Sequence, residues 1–186
     1  MKFSKLIATS AVLALFGFAA SAQADTLTFD NGGAGWLFDE NNPVSIAFDF
    51  PANPGGLVEI KSITVDMSHT WSGDVDMTLI GPAGSFSHLM DNAGGSTDLG
   101  GAYTFVPSGG AAAGTYAAGG PGTYDAFVWS AGLFPLVGWF IDFTDSAGGD
   151  AGFINSVSIE YNPVPVPAAI WLMITALGGL GFMRRR

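Results

Sequence analysis

The chain contains no cysteine. No disulfide staples it, and no thiol can serve as nucleophile, redox group or soft-metal ligand. Basic residues are almost as scarce. Six Lys+Arg stand against sixteen Asp+Glu, and five of the six are Lys2, Lys5, Arg184, Arg185 and Arg186, at the two ends. Between Asp25 and Asn162 only Lys61 remains, one base against sixteen acids, for a net charge of −15. That surface lacks the cations that displace phosphate counterions, which excludes nucleic acid as a partner. It is also repelled by anionic lipid. Histidine is limited to His69 and His88. Neither sits in a segment that looks like a catalytic motif, and a serine nucleophile needs a base and an orienting acid close by. We therefore expect no enzyme, and no motif demands a cofactor.

The two ends carry what the middle lacks, long apolar runs. Lys2 and Lys5 precede an apolar stretch from Leu6 to Ala20, and Ala22-Gln23-Ala24 is a small-x-small site. Positive start, short apolar run and small-residue site define a secretory signal over residues 1–24, with cleavage before Asp25. At the other end, Val166 to Met183 holds no charge and is long enough to cross a bilayer. Arg184, Arg185 and Arg186 follow, a basic cluster that prefers the cytoplasmic side. Alternating prolines precede the run, in Val164-Pro165-Val166-Pro167-Ala168-Ala169. A proline motif, an apolar helix and a basic cluster together resemble the PEP-CTERM sorting tail of bacterial envelope proteins, with Val166 where that family has glutamate. The resemblance implies transient anchoring by a transmembrane helix within residues 163–186, removal by an exosortase-type enzyme, and a destination in the bacterial cell envelope or outside the cell. A plain membrane anchor is the alternative.

Residues 25–162 make one domain's worth of chain. Period-two alternation marks half-buried strands at Leu57 to Met67, Val75 to Ile80, Trp139 to Phe143 and Ile154 to Tyr161. Weaker strands are expected at Thr26 to Phe29, Val44 to Phe50, Phe86 to Met90, Tyr103 to Val106 and Ala126 to Trp129. Many short strands between Gly, Asp, Asn and Pro turns point to an all-β antiparallel sandwich or jelly roll. Pro107 to Thr123, rich in Gly, Ala and Ser, reads as a mobile loop. Pro163 to Pro167 reads as an extended spacer.

One stretch is specific. In SHTWSGDVDMTLIGPAGS, Ser68 to Ser85, a strand ends at a histidine, Gly-Asp and a hydrophobic residue follow, and a second strand runs into a Pro-x-Gly turn. This resembles the P domain (homo B domain), the β-sandwich that follows the catalytic domain of subtilisin-like proprotein convertases. Gly138 to Asp145 and Gly149 to Val157 are similar to a later block of the same family, in the right order. The resemblance implies a galactose-binding-like sandwich standing alone and no protease. A label of serine endopeptidase would describe the family's usual neighbour.

Candidate site residues follow from the acids and aromatics. Asp74 and Asp76, two apart, should share one strand face, and Asp142, Asp145 and Asp150 bracket a turn with Gly148 and Gly149. Such oxygen-rich loops suit Ca2+; hydrogen bonds to turn backbone are the alternative. His69 reads as a hydrogen-bonded structural residue at a sheet corner, and Trp71 and Trp139 as core or rim packing. Trp36, among glycines, is the candidate for exposed ligand stacking. Three functions are in view: a non-catalytic exported module associated with exopolysaccharide or another matrix component, a calcium-dependent carbohydrate-binding module, and a hydrolase or protease accessory.

Overall fold

The computed structural model describes residues 23–53, 55–164 and Met173. Eleven strands form two packed sheets. They are β1 (Asp25–Phe29), β2 (Trp36–Phe38), β3 (Val44–Phe48), β4 (Leu57–His69), β5 (Val75–Ile80), β6 (Phe86–Asp91), β7 (Leu99–Val106), β8 (Gly122–Asp125), β9 (Phe134–Pro135), β10 (Trp139–Asp145) and β11 (Gly152–Pro163). The larger sheet runs β1-β11-β4-β7-β8, with β2 on β11 and β9 on β4; the smaller runs β3-β10-β5-β6. The all-β expectation holds, and every pairing between these strands is antiparallel except β7 with β8.

The core lies between the two inner faces. Val58, Ile60, Ile63, Val65 and Met67 of β4 and Ile154, Val157, Ile159 and Tyr161 of β11 meet Val75, Met77, Leu79, Ile141 and Phe143 from the other sheet, all buried. In β4 the inward set starts on even numbers and ends on odd ones. Pairing with β11 slips at Glu160/Tyr161, opposite Lys61–Ser62, so an extra residue restores the face. A second slip between Ile154 and Ser156 does the same for β11. These two bulges are why the alternation in the sequence is imperfect.

Three sequence expectations are corrected. Residues 107–123 are not a free loop. Tyr116 is wholly buried, Ala117 is buried beside it, and a short helix α1 (Tyr116–Gly119) leads into β8. The Gly110 N–H donates to Asp125 Oδ1 at 2.8 Å and Ala111 bridges to Tyr124. Two tyrosines supply the packing that the Gly/Ala composition hides. Ala126 to Trp129 is not a strand; it makes one bridge, Val128 with His88. The spacer begins later than Pro163, because β11 runs through that residue and the Val164 N–H donates to the Leu57 carbonyl at 3.0 Å.

At the N-terminal side Ala24 is exposed and Asp25 opens β1 opposite Tyr161. Ala22 lies outside the described residues. So do Pro165, Val166, Pro167, Ala168, Arg184, Arg185 and Arg186, and with them the predicted transmembrane helix apart from Met173. Among the described residues no helix is long and apolar enough to cross a membrane.

Candidate functional site

Strands β4 and β10, one from each sheet, end side by side, and their last residues face each other. His69 closes β4 and Asp145 closes β10; both side chains are fully buried. The Trp71 backbone N–H donates to His69 Nδ1 at 3.1 Å. Nδ1 therefore carries no hydrogen, and the ring hydrogen sits on Nε2, aimed at Asp145 Oδ2 at 3.2 Å. The Ala147 N–H donates to Asp145 Oδ1 at 3.0 Å. Gly152 lies against this pair: a Cβ there would run into the Phe38 ring and His69 Cδ2. His69 is thus the structural corner residue expected, and neither ring nitrogen is left to take a proton from a serine.

Outside the buried pair the surface opens into a cleft of about 400 Å³ lined by Thr70, Trp71, Asp74, Gly148, Gly149 and Asp150. Thr70 Oγ1 donates to Asp150 Oδ2 at 2.9 Å, and His69 Nδ1 lies 3.7 Å from the same oxygen. The Asp74 carboxyl is held above its ordinary value, first by desolvation and then by the charges of Asp150 and Asp145, with His69 opposing. Gly149 has a φ of 118°, a backbone shape that a side chain would strain, and it gives the β10–β11 turn its bend beside the cleft.

The five acids assigned to one ion divide into three places. Asp74 and Asp150 line this cleft, and the buried Asp145 lies behind it with His69, one ligand atom each of His69, Asp145 and Asp150 lying within 4.8 Å of the others. Asp76 does not join them, because Asp74 lies in the 3-10 turn Ser72–Asp74 before β5 begins, where strand alternation does not apply. Asp76 instead meets His88 Nε2 at 2.6 Å on the outer face of the smaller sheet, near Asp91. Asp142 accepts from Ser45 Oγ on that same face. The Asp145 and Asp150 oxygens suit a hard cation in kind, with the His69 imidazole as the third group within reach. The Asp76, His88 and Asp91 group has the same make-up, one imidazole and two carboxylates.

The aromatics also change places. Trp36 is half-buried, paired opposite Ile154 in β2 and packed on the core. Its neighbouring glycines shape the turn that brings the indole onto the core. Trp139 is core, as expected. Trp71 is 47% exposed and forms the wall of the cleft. Sequence reasoning places Trp71 in core or rim packing; the signal that could have found it is its place after a strand-ending histidine, at a sheet corner where side chains turn outward.

Fold and site together define a β-sandwich whose one end is an acidic, aromatic-walled cleft. Residues 58–117 match the family model for the proprotein convertase P-domain. The match bears out the resemblance seen in Ser68 to Ser85 and spans β4 to β7 and the start of α1. No curated protein matches the chain. Among solved structures, a serine protease of Aeromonas sobria is similar at 14% identity with a TM-score of 0.38, over 76% of this chain and 27% of that one. The same protease in complex with a chaperone gives 14% identity and a TM-score of 0.39, over 77% and 28%. The chain thus spans little more than a quarter of those chains' length.

Proposed function

We propose that this protein is an exported, non-catalytic binding module that holds a hydroxyl-rich ligand, such as an envelope or matrix polysaccharide, at the Trp71 cleft. One observation carries the reading: an exposed indole stands over a cleft whose other walls are the carboxylates of Asp74 and Asp150, Thr70 and two glycines. An indole face covers the C–H face of a sugar ring, and carboxylates beside it accept from hydroxyls. The negative charge favours an uncharged polymer over an anionic one. Engagement of both His69 nitrogens supports a role without catalysis.

Export rests on the N-terminal signal, and sorting on the tail from Val164 to Arg186. Processing by an exosortase-type enzyme would release a mature chain that starts at Asp25 and lacks the last twenty-odd residues. Intact-mass measurement on protein taken from its native cells tests both cuts; an uncut mass refutes them. Retention of the wild type and of Trp71→Ala on immobilised exopolysaccharide tests the ligand. Loss of a central aromatic anchor should weaken binding by about 2 kcal/mol or more, roughly 30-fold. Equal retention of the two proteins removes the cleft from the function.

A second reading has its own observation. Desolvation first, and then the charges of Asp150 and Asp145, raise the Asp74 carboxyl, and Ca2+ beside these acids would offset the charge part of that cost. Bound calcium would make the cleft a calcium-dependent carbohydrate site.

A further inference from the structure

β4 runs from Leu57 to His69, so its thirteen residues separate its ends by about 40 Å at the usual rise per residue. The far end holds His69, Asp145 and the acidic cleft. The near end exposes five large apolar side chains beside the charged pair Glu59 and Lys61, whereas the far end exposes Leu37 and Trp71. Phe140 pairs across Ile80, and Ile80 across Phe86, giving one row over the outer face of the smaller sheet where β5 ends and β6 begins. These side chains are 42%, 37% and 47% exposed. Leu133 and Val137, in the segment that carries β9 onto the start of β4, are exposed at 54% and 59%. Asp49, the acid beside this segment, accepts the Gly138 N–H.

Both described chain ends are also here. Asp25 pairs with Tyr161, and Val164 hydrogen-bonds to Leu57. The predicted apolar run starts at Val166, two residues on, a reach of at most about 7 Å. Five of the exposed apolar groups lie together at this end, a cluster of the kind that marks a contact surface. The short link from that end to an apolar tail identifies the surface as a bilayer.

We infer that, while the tail anchors the chain, the end bearing Leu133, Val137, Phe140, Ile80 and Phe86 rests in the interface of a zwitterionic bilayer and presents the Trp71 cleft outward, away from the membrane. The inference rests on the anchored reading of the tail. Leucine and phenylalanine side chains favour such shallow insertion, and the net negative charge makes a zwitterionic headgroup layer the compatible one.

The absence of native cysteine makes the test simple. Val137→Cys and Ser96→Cys each place one dye on an exposed site of the full chain. Ser96 marks the far end, since its neighbours Gly95 and Thr97 accept hydrogen bonds from the Ser72–Asp74 turn. Each protein is reconstituted into phosphatidylcholine vesicles with brominated acyl chains, and flotation is measured alongside quenching. The expected result is flotation of both, with the Val137 dye quenched several-fold more than the Ser96 dye, and the difference reduced in Phe140→Glu. Flotation with equal, solvent-like signals overturns the inference and leaves the anchor standing. Failure to float refutes the anchor and the inference with it. Full quenching in Phe140→Glu overturns the inference. So does shielding of Val137 that vanishes on diluting protein in lipid, which identifies a second copy, or shielding by soluble polysaccharide in place of lipid quenching.

Discussion

Tyr116 lies in the stretch whose composition argues most strongly for mobility, PSGGAAAGTYAAGGPGT, yet its ring is wholly buried. It makes edge contacts with Phe105 at 6.3 Å and with Tyr124 at 6.1 Å between ring centres. Its hydroxyl lies near the Ala93 and Asp91 backbone without completing a hydrogen bond, and burial raises the phenol above its ordinary value. Tyr116→Ala removes a buried ring and leaves a cavity, at a cost of about 3–5 kcal/mol. That is a large share of the roughly 5–15 kcal/mol that stabilises a typical domain. At a few degrees per kcal/mol for a domain of this size, the midpoint should fall on the order of 10–20 °C. Tyr116→Phe removes only an unpaired polar atom, so it should be neutral or stabilising, within about 1 kcal/mol. Thermal melts followed by circular dichroism measure both. Limited proteolysis of the folded protein should spare 107–123 in the wild type and cut it in Tyr116→Ala. A wild type cut readily in this segment, with an alanine variant melting within about 2 °C of it, would refute the packing argument.

Gly152→Ala should cost about 1–3 kcal/mol, because the new methyl meets Phe38 and His69 with no flexible end to yield; an unchanged melt would contradict that contact. His69→Ala strips Asp145 of its Nε2–H partner and the Trp71 N–H of its acceptor, for a loss of about 3 kcal/mol or more in denaturant titrations. The folded Asp74 carboxyl holds its proton more tightly than the unfolded chain does, so its ionisation removes stability as pH rises above 3.8. Asp74→Asn should therefore be more stable than wild type near neutral pH, with the gap closing on acidification; a gap that widens in acid would reverse the argument. Millimolar calcium should raise the melting point if the second reading holds, by about 2.7 kcal/mol of stability at a hundredfold excess over Kd. The rise should vanish with chelator and in Asp74→Asn, and no rise at all removes the ion.

The long strands were legible because one apolar face repeated every second residue. β5 and β10 carry no slip against each other and match the expected spans, β10 reaching two residues further. Where bulges intervene, at Lys61–Ser62 and Asn155, the same rule weakens because the face changes parity. Short strands such as β2 and β9 are held by their neighbours rather than by their own pattern, and three or two residues cannot show a period. The parallel β8, four residues long, escaped for the same reason. In the site, His69 was legible as a strand end and Asp145 only as part of the turn after the tryptophan strand, and their meeting depends on how two sheets stack, which no local pattern encodes. Trp36 is expected to be exposed because flanking glycine reads as a sign of exposure, and it is half-buried instead. Glycine frees a backbone to turn, and here the turn folds Trp36 back onto β11.

A sandwich without disulfides must still fix its two sheets at the end where the core thins into glycine-rich turns. Here that task falls to polar groups. His69 belongs to the larger sheet and Asp145 to the smaller, so the hydrogen bond between them crosses from one layer to the other. Gly152 admits the imidazole, and the Ala147 N–H completes the carboxylate. Both side chains are fully buried, so solvent does not compete for the bond and either partner alone would be left unpaired. The same imidazole accepts the Trp71 N–H, which sets the backbone that carries the indole into the cleft. The residues that most resemble catalytic ones are thus the means by which the cleft keeps its shape. A loss of ligand retention in His69→Ala would be expected from displacement of Trp71, with no chemistry at the imidazole.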